Sequence, residues 1–206
     1  TRKESSAASD VYKRQVGNSA SFAQQADKII IELNIGVPAA IEGLHDIYVP
    51  EDRPARQPIG LVSVDQRIGQ PFIEVDAAKI AAIVITHEPD SPSNALPPDG
   101  DTNAIAGHIN TFLRGEVDAG RLTNALLPLQ AGIGTIANAV LHGFESSDFD
   151  NLTMYSEVLQ DSAIELLDQG KLAFASASSI TVSKPVYDKI LANICLLYTS
   201  PSPRDS

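Results

Sequence analysis

The chain has 206 residues, with 15 Lys or Arg against 26 Asp or Glu, a formal net charge of −11 and one cysteine, Cys195. That balance argues against nucleic acid or an anionic membrane surface as a partner, since both need clustered basic side chains. One cysteine leaves no disulfide framework and no thiolate metal site, and no apolar run is long enough to span a membrane.

The first stretch that asks for explanation is DVYKRQ at residues 10–15, because CLLYTS stands at residues 195–200. With one choice of codons, the two peptides are a single DNA string read on opposite strands. Folding does not produce an inverted repeat at both edges of a reading frame, whereas an adapter ligated to both ends of a DNA fragment does. The string resembles the transposase mosaic-end adapter of sequencing libraries, and SSAAS and PSPRD resemble its two arms. Residues 1–15 and 195–206 are therefore expected to be disordered, adapter-derived tags and are set aside from the fold. Residues 16–194 then carry ten basic and twenty-three acidic side chains, a formal charge of −13, and no cysteine. The segment reads as an internal slice of a longer gene, with the cytoplasm as the default compartment.

SASFAQQA suggests a short helix, and KIIIELN (Lys28 to Asn34) a buried strand. Residues 37–71, rich in proline, form a loop too long for an ordinary connection. KIAAIVI (Lys79 to Ile85) is a second buried strand. Together, residues 16–90 read as the end of one α/β domain. Prolines crowd EPDSPSNALPPDGD, which places a linker at 91–100. A second domain, 101–194, opens on a helix capped by Asp101 or Thr102 and ending at Gly120, with Ile105, Ile109, Phe112, Leu113 and Val117 at helical spacing. LLPLQAGIGTIANAVLHGF suggests a short strand, a glycine turn and a helix. NLTMYSE then reads as a strand ending at Glu157, DSAIELLDQG as a helix closed by Gly170, KLAFASA as a strand, and KPVYDKILANI as a helix. This alternation predicts an α/β fold with mostly parallel sheets.

The turn GIGTIA, Gly132 to Ala137, matches by spacing the dinucleotide fingerprint G-x-G-x-x-A, with Glu157 placed to bond a ribose hydroxyl. On that reading the chain is part of an NAD-dependent oxidoreductase, with a pyrophosphate at the helix N-terminus beginning at Gly134. Pro128 and Gln130 in the preceding stretch argue against it. A tight strand-to-helix turn with no ligand fits the glycines equally well.

GLHDIYVP (Gly43 to Pro50), LLPLQAGIGTIANAVL (Leu126 to Leu141) and YSEVLQD (Tyr155 to Asp161) occur in the order seen in the acetyl-CoA hydrolase and transferase family, which the chain resembles from Val16 to Ser178. The resemblance includes the succinyl-CoA:acetate CoA-transferases and implies a fragment of a two-domain CoA-transferase fold. It implies that Glu157 is a nucleophile forming a glutamyl-CoA thioester and that the Ile133 N–H is an oxyanion donor. Gly132 and Gly134 are then coenzyme A-binding residues. The substrates implied are an acyl-CoA (acetyl-CoA or succinyl-CoA) and a small carboxylate such as acetate or succinate. Hydrolysis of acetyl-CoA is the outcome if water is the acceptor. Coenzyme A enters as substrate, no metal is expected, and the full-length protein is expected to be a homodimer. A second, glycine-rich oxyanion loop would lie beyond Ile194, so the chain as written is expected to be inactive. Thr135 stands where the family often has Asn or Ser.

Without the family motif, Glu157 reads as a solvated strand-end carboxylate. His45, His87, His108 and His142 show no metal spacing. His45, Asp46 and Tyr48 are expected to fix their loop by hydrogen bonds. Gln160 and Asp161 could orient Glu157, with capping of the following helix the main role of Asp161. ESSDFD reads as a solvated loop. A noncatalytic CoA-binding module remains the third reading.

Overall fold

The structure is a computed structural model that describes residues 19–37, 39–49, 51, 54–88 and 99–193. The tags at 1–15 and 195–206, and most of the 91–100 linker, lie outside the described residues. The described chain divides into two compact units, one holding residues 19–62 and 66–88 and the other residues 63–65 and 99–193.

In the first unit, helix α1 (Ser19–Gln25) precedes strand β1 (Ile29–Asn34), which pairs in parallel with β2 (Ile80–Thr86). The register runs from Ile30 opposite Ala82 to Asn34 opposite Thr86. β-Branched side chains restrict χ1 and suit the pleated backbone, so these two runs form strands where the sequence predicts them. Burial is where the prediction fails. Ile30 is 68 % exposed and Ile85 67 % exposed, so neither strand is buried. Two strands make a sheet with apolar residues on both faces, and most of these stay partly or fully exposed.

The intervening loop is tied by an isolated antiparallel bridge between Ile47 and Gln70. Asp46 accepts the N–H groups of Ile68 and Gly69, while Arg67 donates to the carbonyls of Gly43 and His45. Asp46 thus fixes the loop through its side chain as expected, whereas His45 does so through its carbonyl.

The second unit holds an extended hydrophobic core. Helix α2 (Gly100–Asp118) begins two residues earlier than predicted, because Asp99 is its N-cap. The Asp99 carboxylate accepts the Thr102 N–H, and the Thr102 hydroxyl accepts the Asp99 N–H, which completes a capping box. Helix α3 (Thr135–Glu145) packs on α2, and α4 (Asp161–Asp168) packs on α3. Strand β3 (Leu152–Leu159), α4 and β4 (Leu172–Ile180) form a strand–helix–strand unit with the strands parallel, and α5 (Lys184–Ala192) follows. Both sheets are therefore parallel pairs, as the alternation predicts.

Leu152, Met154 and Val158 alternate into the core from β3, each at most 1 % exposed. Each such burial stabilises by about 1.5–3 kcal/mol. Phe144 meets Phe149 edge to face beneath them, with ring centroids 5.3 Å apart. The strand predicted in LLPLQ is reduced to one bridge, from Leu129 to Met154, made through the Leu129 N–H and carbonyl. Pro128 beside it has no N–H to extend the ladder.

Candidate active site

β3 lies between the Leu129 bridge and β4, so its side chains alternate between the core and an open face. Ser156 and Val158 are buried, while Tyr155 and Glu157 are exposed. The strand runs two residues past Glu157, to Leu159, rather than ending there. Among the described residues, no side chain pairs with the Glu157 carboxylate.

Three side chains join the glycine turn and the start of α3 to the end of β3 and the start of α4. The Ser156 hydroxyl accepts the Ala131 N–H at 3.0 Å and lies 2.8 Å from the Ala131 carbonyl, to which it can donate. The Gln160 amide accepts the Gly134 N–H at 3.1 Å and donates to the Gly134 carbonyl at 3.4 Å. Asn138, in the first turn of α3, accepts the Ser162 N–H with its side-chain oxygen, while its carbonyl accepts the Ser162 hydroxyl. Segments about 25 residues apart are thereby stitched at three successive points.

Gly134 adopts φ +156°, ψ +158°, a conformation essentially confined to glycine. Its N–H is already given to Gln160. The N–H groups of Gly132 and Ile133 have no partner among the described residues. Of the glycine-turn residues singled out from the sequence, Ile133 and Gly132 thus present free donors, and Gly134 shapes the turn.

Asp161 departs from expectation. Its carboxylate accepts the N–H of Ser183, at the start of α5, at 2.7 Å, and makes no cap for its own helix. Ser183 lies just beyond β4, so Asp161 ties the far end of the strand–helix–strand unit. The α4 N–H that a cap would satisfy is met by Asn138 instead. Nothing in the sequence spacing distinguishes these two arrangements.

A cleft of about 840 Å³ opens on the other elements around the turn, walled by Ile109 and Leu113 of α2, Ile133, and Ile136 and Val140 of α3. Glu157 is not among its walls, and no wall residue is ionisable. The cleft is mostly apolar, with the hydroxyls of Thr102 and Thr135 at its wall. Among the described residues, no group of three His, Cys, Asp or Glu could hold a metal ion. No described helix is long and apolar enough to cross a membrane.

Over 178 residues the chain is 45 % identical to the acetyl-CoA hydrolase of Eremothecium gossypii and 43 % identical to that of Saccharomyces cerevisiae. The segment is homologous to acetyl-CoA hydrolases. The alignment takes in 86 % of this chain and 34 % of each hydrolase, so the chain spans about a third of the length of these relatives. No family model matches the sequence. Among solved structures, the 4-hydroxybutyrate CoA-transferase of Porphyromonas gingivalis is similar with a TM-score of 0.50 at 18 % identity, over 85 % of this chain and 37 % of that one. RipA from Yersinia pestis is similar with a TM-score of 0.51 at 17 % identity, over 86 % and 35 %. At such identities the likeness concerns fold alone. It places this α/β segment within a CoA-transferase type of fold, as the three sequence motifs imply.

Proposed function

We propose that the protein carrying this segment is an enzyme of acyl-CoA hydrolysis or CoA transfer in which Glu157 is the nucleophile. The observation that supports this most is an exposed, unpaired carboxylate flanked by two buried side chains that hold the glycine turn, within a segment homologous to acetyl-CoA hydrolases.

The Glu157 carboxylate attacks the thioester carbonyl carbon, and the carbonyl π pair moves onto oxygen. The resulting oxyanion needs N–H donors, and the free Ile133 N–H is the donor proposed here, with Gly132 beside it. Collapse expels the CoA thiolate and leaves an acyl-glutamyl anhydride. The thiolate then attacks the glutamyl carbonyl of that anhydride, releasing the donor carboxylate and leaving a glutamyl-CoA thioester. An acceptor carboxylate reverses the sequence and carries CoA away, giving ping-pong kinetics. Water attacking the glutamyl thioester instead releases free CoA and regenerates Glu157, so exclusion of water decides between transfer and hydrolysis.

The test uses the complete enzyme encoded at the source locus. With acetyl-CoA and no acceptor acid, the proteolytic peptide holding Glu157 gains the mass of CoA less one water. A Glu157→Gln variant that turns over acetyl-CoA at the normal rate would sink the proposal.

A further inference from the structure

We infer that Ser156 and Gln160 are positioning residues that set the oxyanion donors of the glycine turn against Glu157, an inference that rests on the nucleophile reading above. Both are polar side chains buried in a mostly apolar unit, at 9 % and 4 % exposed. Burying a hydroxyl or an amide is unfavourable unless it is hydrogen-bonded, and both side chains reach the backbone of one short turn, the Ser156 hydroxyl lying 2.8 Å from the Ala131 carbonyl and 3.2 Å from that of Val158.

The geometry of that turn is selective. Ser156 takes the N–H of Ala131, where the chain enters, and Gln160 takes the N–H of Gly134, where it leaves. Both contacts are reciprocal, because the same side chains also reach the carbonyls of Ala131 and Gly134. Each end of the turn is therefore held against both translation and rotation of its peptide group. What remains between the clamps is the pair of N–H groups at Gly132 and Ile133, which have no partner among the described residues.

The clamps also stand on either side of the nucleophile in sequence. Ser156 immediately precedes Glu157 on β3, and Gln160 follows by three residues at the junction with α4. Strand alternation turns Ser156 inward and Glu157 outward, so the residue that holds the donors does not compete for the carboxylate. The end of β3 and its junction with α4 thus carry both the proposed attacking group and the anchors of the turn. A displacement of the turn by an ångström would leave substrate binding largely intact and misplace the donors in the transition state.

The test compares Gln160→Met and Ser156→Ala with wild type in the complete enzyme encoded at the locus. Methionine keeps the length and volume of Gln160 without its bonds, and alanine keeps the Cβ of Ser156. The readouts are the rate of adduct formation at Glu157 with saturating acetyl-CoA and no acceptor, the acetyl-CoA concentration that half-saturates that rate, and thermal stability. Each variant should form the adduct on the order of 10- to 100-fold more slowly with half-saturation changed by less than about threefold. If one variant fails to fold, the other carries the test. Adduct formation at the wild-type rate in a folded variant overturns the clamp. So does an unchanged maximal rate with weaker acetyl-CoA binding, which would make these residues part of substrate binding instead. Acetyl-CoA turnover at the normal rate by a Glu157→Gln variant overturns the nucleophile reading and this inference with it.

Discussion

Asp46 and Gly69 are locked together across the long loop of the first unit: the Gly69 N–H donates to the Asp46 carboxylate at 2.6 Å. A Cβ added at Gly69 would lie 2.3 Å from the carbonyl carbon of Ile47, which is backbone and has no rotamer by which to yield. Gly69→Ala should therefore destabilise the first unit by about 1–3 kcal/mol. Asp46→Ala, which leaves two N–H groups without their acceptor, should cost about 1.5–3 kcal/mol. Urea unfolding of the 206-residue chain, followed by a probe in this loop, checks both. An unshifted midpoint for Gly69→Ala would mean that the close approach to Ile47 is relieved by the backbone.

His45 in the same loop carries a pH dependence. Burial, and secondarily the positive charge of Arg67, hold its imidazole pKa below the ordinary value of 6.5. The unfolded chain therefore binds the proton more readily than the folded one. Stability from this group is present above the unfolded pKa and is lost as pH falls through 6.5 towards the folded pKa. NMR titration of His45 should give a midpoint below 6.5, and His45→Gln should reduce the loss of thermal stability between pH 7.5 and 5.5. A midpoint at or above 6.5 would contradict the burial argument.

The contrast between these loop contacts and the strands shows what the sequence could reveal. Runs such as IIIELN and IAAIVIT announce strands through β-branching alone, but burial depends on which layers cover the sheet, and that information is not local. The cap is expected at Asp101 or Thr102 and stands at Asp99, because three side chains of capping type lie within four positions and spacing alone does not rank them. The turn GIGTIA was visible from its glycines, and Glu157 through its family motif. Ser156, Gln160 and Asn138 left no such signal as a set, because side-chain bonds to backbone across some 25 residues impose no periodicity. Only Gln160 was singled out beforehand, as a possible partner of Glu157, and its bonds go to Gly134 instead.

Gly134 supplies the next test. Its φ of +156° with ψ of +158° is strained for any residue with a Cβ, although no atom lies within 4 Å of the place a Cβ would take. Gly134→Ala should thus cost about 1–3 kcal/mol through backbone strain and not through a clash. Unfolding of the second unit in the variant, compared with wild type, measures it. A neutral result would show that the turn relaxes to an ordinary extended conformation.

Asn138 joins α3 to α4 and stands in for the missing side-chain cap of α4. Asn138→Ala removes the acceptor of the Ser162 N–H while leaving the Asn138 carbonyl, and so the Ser162 hydroxyl bond, in place. The loss should be about 0.5–2 kcal/mol, the range for an N-cap side chain. Amide hydrogen exchange at Ser162 should accelerate by more than global unfolding explains. Unchanged protection at that amide would mean that another group, or water, takes the place of Asn138.

Glu157 should behave in the opposite way. It is exposed on β3 and has no ion pair or hydrogen bond among the described residues. Glu157→Gln should shift stability by no more than about 0.5 kcal/mol, as for other surface positions without a special contact. A carboxylate kept for packing or pairing would be missed on unfolding, whereas one kept for chemistry is missed only when an acyl-CoA arrives. Near-wild-type unfolding of Glu157→Gln together with loss of the CoA adduct therefore separates a nucleophile from a structural carboxylate. A substantial loss of stability would place Glu157 in the fold, and the free N–H groups of Gly132 and Ile133 would then need another nucleophile to serve.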